Sequence, residues 1–222
     1  MGTYVQLTAS DGHHLQAYCA GDEKVQRALV VIQEIFGVNS HIRSVADDFA
    51  QQGFLAIAPA LFDRAEPGLE LGYDTAAMQK GMRAATQIGM EAALKDVAAA
   101  IGYAGQKSRK VGVVGYCFGG SLAWLAATRL DPSAAVGYYG GRIAQSAAES
   151  PRCPVMLHFG AKDPHIGAKE IETIRRHHPD LPLFLYDAGH GFNCDQRKDY
   201  EPQSAALARQ RTLKFLNQYL QE

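Results

Sequence analysis

A short run from Val111 to Gly120 constrains this chain more than any other stretch. Val111-Gly-Val-Val114 reads as a short strand buried on both faces, and Ser121–Arg129 reads as a helix. Between them stands Gly115-Tyr116-Cys117-Phe118-Gly119, a cysteine with a glycine two residues away on each side. Strand, sharp turn and helix with a nucleophile at the apex make a nucleophile elbow, here with cysteine in place of serine. The apex backbone is strained, and the flanking residues approach so closely that a Cβ on either would clash, which is the work of the two glycines. The helix that follows points its positive end at the sulfur and offers amide donors to a developing oxyanion. A buried structural cysteine beside a glycine-rich turn is the plainer alternative, so the rest of the chain has to decide.

The flanking segments alternate strands with helices. Tyr4–Thr8 and Leu15–Ala20 read as a hairpin around Asp11-Gly12, with His13 and His14 solvated beside the turn. Ala28–Gln33 is a continuous apolar run, the mark of a strand covered on both faces. Asn39-Ser40 caps a helix over roughly 41–52, Gly53 ends it, and Phe54–Ala58 is the next strand. Leu61–Asp74 reads as an irregular excursion. Thr75–Ala104 reads as two helices interrupted at Gly81 and Gly89. Further strands follow at Ala134–Tyr139, Pro154–Phe159 and Leu183–Asp187, a helix at Ala168–His178, and an amphipathic helix at Ser204–Leu220 that includes Leu207. This pattern predicts a single α/β domain over residues 1–222, with a mostly parallel sheet of seven to eight strands and helices on both faces.

A formal net charge of −1 gives no reason to expect nucleic acid or an acidic membrane surface as a partner. The first residues carry neither a basic segment nor an apolar signal core, and no apolar run is long enough to span a bilayer. The four cysteines, Cys19, Cys117, Cys153 and Cys194, form no C-x-x-C pair and fit no zinc spacing. Reduced thiols in the cytoplasm are the expectation, and they permit a thiol nucleophile. The expected assembly is a monomer or weak homodimer.

In sheets of this kind chemistry gathers beyond the carboxyl ends of the strands. The residues just past those ends are Glu34, Cys117, Tyr139, Asp163 and His190. Cys117, Asp163 and His190 follow one another in the order nucleophile, acid, histidine, the triad order of the α/β-hydrolases. His190 lies between glycines in Ala188-Gly-His-Gly-Phe192, on a loop with room to reach the sulfur. Asp163 precedes Pro164 and suits turn chemistry as well as holding an imidazole in the right tautomer. His158 in an apolar strand reads as a core residue, and His165, His177 and His178 as surface residues. Glu34 follows a strand buried on both faces, where a carboxylate is costly unless paired. It either meets a backbone amide or an arginine, or contacts the Cys117 thiol and controls its protonation. The backbone N–H groups of Ile35 and Phe118 are the candidate oxyanion hole.

Gln33-Glu-Ile-Phe-Gly-Val-Asn39, Gly115–Gly120, Val136-Gly-Tyr-Tyr-Gly140, Asp163 and Ala188–Phe192 resemble the dienelactone hydrolase family (carboxymethylenebutenolidases) over almost the whole chain. The resemblance implies an α/β-hydrolase domain without metal or cofactor, cleaving an enol-lactone ester bond in the degradation of catechols. It makes Cys117 the nucleophile, His190 the base and acid, Asp163 its orienting partner, and Glu34 the holder of the resting thiol. Family members grip the substrate carboxylate with two arginines, and at those positions this chain has Cys194 and Met78. Arg83, Arg142 or Arg197 could replace them, and Phe36, Tyr139, Arg83, Arg142 and Cys194 are the candidate substrate-lining residues. A small ester or lactone is the expected partner. A general carboxylesterase or thioesterase is the alternative activity, and a thiol-sensing protein without catalysis is the third reading.

Overall fold

The computed structural model describes residues 2–221. β1 (Thr3–Thr8) and β2 (His14–Ala20) form the expected antiparallel hairpin, and Gly12 turns it at φ 83°. β3 (Arg27–Ile32), β4 (Leu55–Pro59), β5 (Lys110–Tyr116), β6 (Ala134–Tyr138), β7 (Val155–Gly160) and β8 (Leu183–Tyr186) complete one eight-stranded sheet in the order β1-β2-β4-β3-β5-β6-β7-β8. β2 meets β4 antiparallel, and every pair from β4 to β8 is parallel. Residues 28–32 of β3 are completely buried. Both faces of this strand are therefore covered, and each large aliphatic side chain on it contributes about 1.5–3 kcal/mol of burial.

The helices are α1 (Ser40–Gln51), α2 (Thr75–Lys107), α3 (Phe118–Arg129), α4 (Ala168–His177) and α5 (Pro202–Leu220). Asn39 caps α1 by accepting a hydrogen bond from the Ile42 amide at 3.2 Å, and Gly53 follows its end at φ 82°. α1 and α5 are tied by a hydrogen bond from Arg209 Nε to Asp48, 2.8 Å long. Arg64, in the 3-10 turn Leu61–Arg64, grips fully buried Asp96 of α2 with two hydrogen bonds of 2.7 Å and so anchors that helix. No helix among the described residues is long and apolar enough to cross a membrane.

Several details depart from the sequence reading. α2 breaks at Gly89, with φ 68° and ψ 170°, as expected, but it runs unbroken through Gly81. Gly81 is there because the helix lies directly on the Ile35 carbonyl, where any Cβ would collide. α3 starts at Phe118 rather than Ser121, so the helix begins at the residue after the nucleophile. His13 is half-buried with Nε2 shielded, not solvated. His178 is half-buried rather than on the surface, its Nε2 2.6 Å from the Ala147 carbonyl and its ring against Trp124. Leu207 faces solvent, and α5 meets the core through Ala208, Phe215 and Leu216 instead.

Candidate active site

Cys117 occupies the turn between β5 and α3 with φ 55° and ψ −110°, a conformation costly for a residue with a side chain. The surrounding contacts impose it. The Cys117 amide donates to the Tyr138 carbonyl at 3.0 Å, and the Gly119 amide to the Gln33 carbonyl at 3.1 Å. A Cβ on Gly115 would strike the Gly119 carbonyl, and one on Gly119 the carbonyls of Ile32 and Gln33. The turn is thus wedged between the ends of β3 and β6, and its sulfur is half-buried at the floor of a cavity.

The structure brings Cys117, His190 and Asp163 together. His190 Nε2 lies 3.1 Å from Cys117 Sγ, and its Nδ1 lies 2.7 Å from Asp163 Oδ2. The Asp163 side chain is fully buried. Its other oxygen accepts the backbone N–H of His165 at 2.8 Å, so both oxygens are held. A carboxylate behind Nδ1 fixes the tautomer that turns Nε2 toward the sulfur. Burial works against a charged His190, but the adjacent Cys117 sulfur and Asp163 outweigh it and raise the imidazole above its ordinary value. The ring is held between Tyr139, at 5.2 Å, and His165, at 5.3 Å. The backbone N–H groups of Ile35 and Phe118 have no acceptor among the described residues, and both residues line the cavity next to the sulfur.

Glu34 does not contact the thiol. Its Oε1 accepts from Arg197 Nη1 at 3.1 Å, and the Cys117 sulfur is engaged by His190 instead. The reason is a loop that returns over the site. Gly191, at φ 77°, follows His190 and leaves no Cβ in the space taken by the Arg197 guanidinium. The guanidinium also rests over the Phe36 ring at 5.6 Å. The buried carboxylate is therefore balanced by an arginine, the structural alternative the sequence left open.

The cavity encloses about 340 Å³. Ile35, Phe36, Met78, Met82, Ala85 and Phe118 make its apolar wall, while Arg142, His165 and Arg197 bring polar groups to it. Met78 lies on that wall. Arg142 makes no side-chain hydrogen bond or ion pair among the described residues, which leaves it available to an anion. Three proposed lining residues are elsewhere. Arg83 is exposed on α2 and does not reach the cavity, because it points off the helix face opposite Gly81 and Ala84. Tyr139 is completely buried beneath His190. Cys194 is also completely buried, behind Glu34, where burial and that carboxylate push its thiol up to about 12. His165, expected at the surface, is exposed yet packs on His190 and lines the cavity. A histidine two residues after the acid was the available signal for it.

A sequence profile described as the Dienelactone hydrolase family matches residues 15–220. The chain belongs to the dienelactone hydrolase family. A carboxymethylenebutenolidase of Pseudomonas putida is 34% identical over 223 residues, 96% of this chain and 94% of that protein. A Synechocystis protein assigned as a carboxymethylenebutenolidase is 37% identical over 202 residues, 82% of each chain. Among solved structures, a Klebsiella pneumoniae protein assigned as a dienelactone hydrolase superposes with a TM-score of 0.83 at 28% identity, covering 98% of this chain and all of that one.

Proposed function

We propose that this protein is a carboxylic ester hydrolase that opens dienelactone-type enol-lactones, as a carboxymethylenebutenolidase does. The observation that carries the reading is His190 standing 3.1 Å from the Cys117 sulfur, with Asp163 behind it at 2.7 Å, on the wall of a cavity.

In the reaction the Cys117 thiolate attacks the lactone carbonyl carbon, and the carbonyl electrons move to oxygen. The amides of Ile35 and Phe118 hold that oxyanion. The carbonyl re-forms, the ring C–O bond breaks, and the enolate oxygen leaves, taking a proton from His190. A thioester remains on Cys117. His190, now neutral, accepts a proton from water, the hydroxide attacks the thioester, and the thiolate departs again. A thiolate suits this substrate because an enolate is a good leaving group. Arg142 is the group we assign to the substrate carboxylate, since Arg197 is committed to Glu34. Unmodified thiol chemistry fits a reducing compartment, and the cytoplasm is the site of action we infer from four free cysteines.

A second reading, a carboxylesterase for small neutral activated esters, is favoured by Met78 on the cavity wall and by the apolar character of its neighbours. The deciding experiment compares kcat/KM for a carboxylate-bearing dienelactone with that for p-nitrophenyl acetate. Preference for the dienelactone supports the first reading, preference for the neutral ester the second, and turnover of neither ester overturns both.

A further inference from the structure

We propose that Glu34, His41 and Cys194 form a buried binding site for a zinc-like divalent cation, separate from the reacting thiol. Glu34 Oε2 and His41 Nε2 are each shielded from solvent and have no hydrogen-bond partner among the described residues, with Glu34 1% exposed and His41 4%. Buried acceptors without partners are expensive, so two of them on neighbouring residues call for an occupant. Cys194 supplies the third donor atom at that spot, and one atom from each residue lies within 4.8 Å of the others. A carboxylate oxygen, an imidazole nitrogen and a sulfur are the donor types zinc takes.

The surroundings match such a site. His41 Nδ1 lies 3.0 Å from Asp195 Oδ1, so the carboxylate fixes the tautomer and leaves the Nε2 lone pair pointing inward. The Tyr73 hydroxyl accepts from Asn39 Nδ2 at 3.0 Å, which leaves its own proton to donate toward Cys194. Glu34 keeps Oε1 on Arg197, so metal binding through Oε2 breaks no existing bond. The charges also balance, since a dication and Arg197 face the Glu34 carboxylate, the Cys194 thiolate and Asp195. Binding releases the Cys194 proton to solvent. Zinc ligands in a tetrahedron stand about 3.3–3.6 Å apart, so the donors need to close by about an ångström. A cleft of about 280 Å³ lined by His41, Asp195 and Arg209 reaches the His41 side of the site, apart from the cavity of Cys117.

The three donors come from the loop after β3, from α1 and from the loop before α5. A bound cation would therefore lock Glu34 and, through it, Arg197. The test uses full-length protein carrying Cys117→Ser, so that Cys117 contributes no thiolate. Co²⁺ is titrated and a thiolate-to-cobalt charge-transfer band is followed. Saturation at one equivalent, with displacement by Zn²⁺, is expected. Adding Cys194→Ser should abolish the band, and Asp195→Asn should weaken binding about 10- to 100-fold. His41→Gln gives an independent reading, because retained zinc after dialysis should fall to near zero. Absence of the band, its survival in Cys194→Ser, or unchanged zinc retention in His41→Gln would overturn the proposal. The readouts need no substrate, so a failed esterase assay would leave this result standing, and the reverse also holds.

Discussion

Arg197 donates to Glu34 across 3.1 Å, and their side chains are only 11% and 1% exposed. Such a pair gains little over a well-packed apolar substitute, but removing one member strands the other. Arg197→Met should lose about 3–5 kcal/mol of stability in urea unfolding, because it leaves a buried carboxylate alone. Adding Glu34→Gln should recover most of that loss. Equal destabilisation in the single and double variants would show that the two residues are not coupled.

Among the described residues, Cys117 is the nucleophile within hydrogen-bond distance of His190. Cys117→Ala should reduce turnover of activated esters by at least about 10³-fold, while circular dichroism and the melting temperature stay close to the parent. Retained activity in this variant would remove the thiol pathway.

The four thiols should differ sharply toward iodoacetamide. Burial pushes Cys19 and Cys153 up to about 11, and Cys194 up to about 12. Cys117 is half-buried on the cavity wall and lies within hydrogen-bond distance of the His190 imidazole. Mass spectrometry after brief alkylation at neutral pH should find the label on Cys117 first, and substrate should protect it. Faster labelling of Cys153, which is also half-buried, would contradict this order.

Arg142 lines the cavity, and its side chain has no hydrogen bond or ion pair among the described residues. Arg142→Ala should raise KM for a carboxylate-bearing lactone about tenfold, with kcat and the rate on p-nitrophenyl acetate changed by less than about twofold. An equal loss on both substrates would show that Arg142 acts on the scaffold and not on the substrate acid.

His158 is buried between the Tyr186 hydroxyl at 2.8 Å and Thr212 Oγ1 at 3.0 Å. Burial, with Arg211 adding to it, lowers its imidazole from 6.5 to about 3. The folded protein thus resists protonation that the unfolded chain accepts. This contribution is complete above about pH 6.5 and is lost as pH falls from there toward about 3. The loss at pH 5 should be about 2 kcal/mol, read from urea midpoints at several pH values. His158→Gln should flatten that part of the profile, and an unchanged slope would count against the assignment.

Much of this was legible from the chain. Continuous apolar runs such as 28–32 gave the parallel strands, and glycines at 115 and 119 marked the elbow because only close backbone approach demands them. The order of Cys117, Asp163 and His190 carried the triad, since each follows one of a set of parallel strands whose carboxyl ends share one side of the sheet. What the sequence could not show were long-range pairings. Glu34 and Arg197 are separated by 163 residues, and nothing local to either names the other. Gly81 looked like a helix breaker because its reason, the Ile35 carbonyl, lies on a distant loop. Cys194 and Tyr139 stood at plausible positions but are packed behind the first layer of side chains.

Met78, Met82, Ala85 and Thr86 all belong to the part of α2 before the break at Gly89. The groups that make and break bonds reside on other stretches. One side of the cavity's apolar wall and the triad are therefore written in separate passages of the polypeptide. A lineage can retune its diet by editing one short passage, while the inherited reaction machinery passes through unaltered.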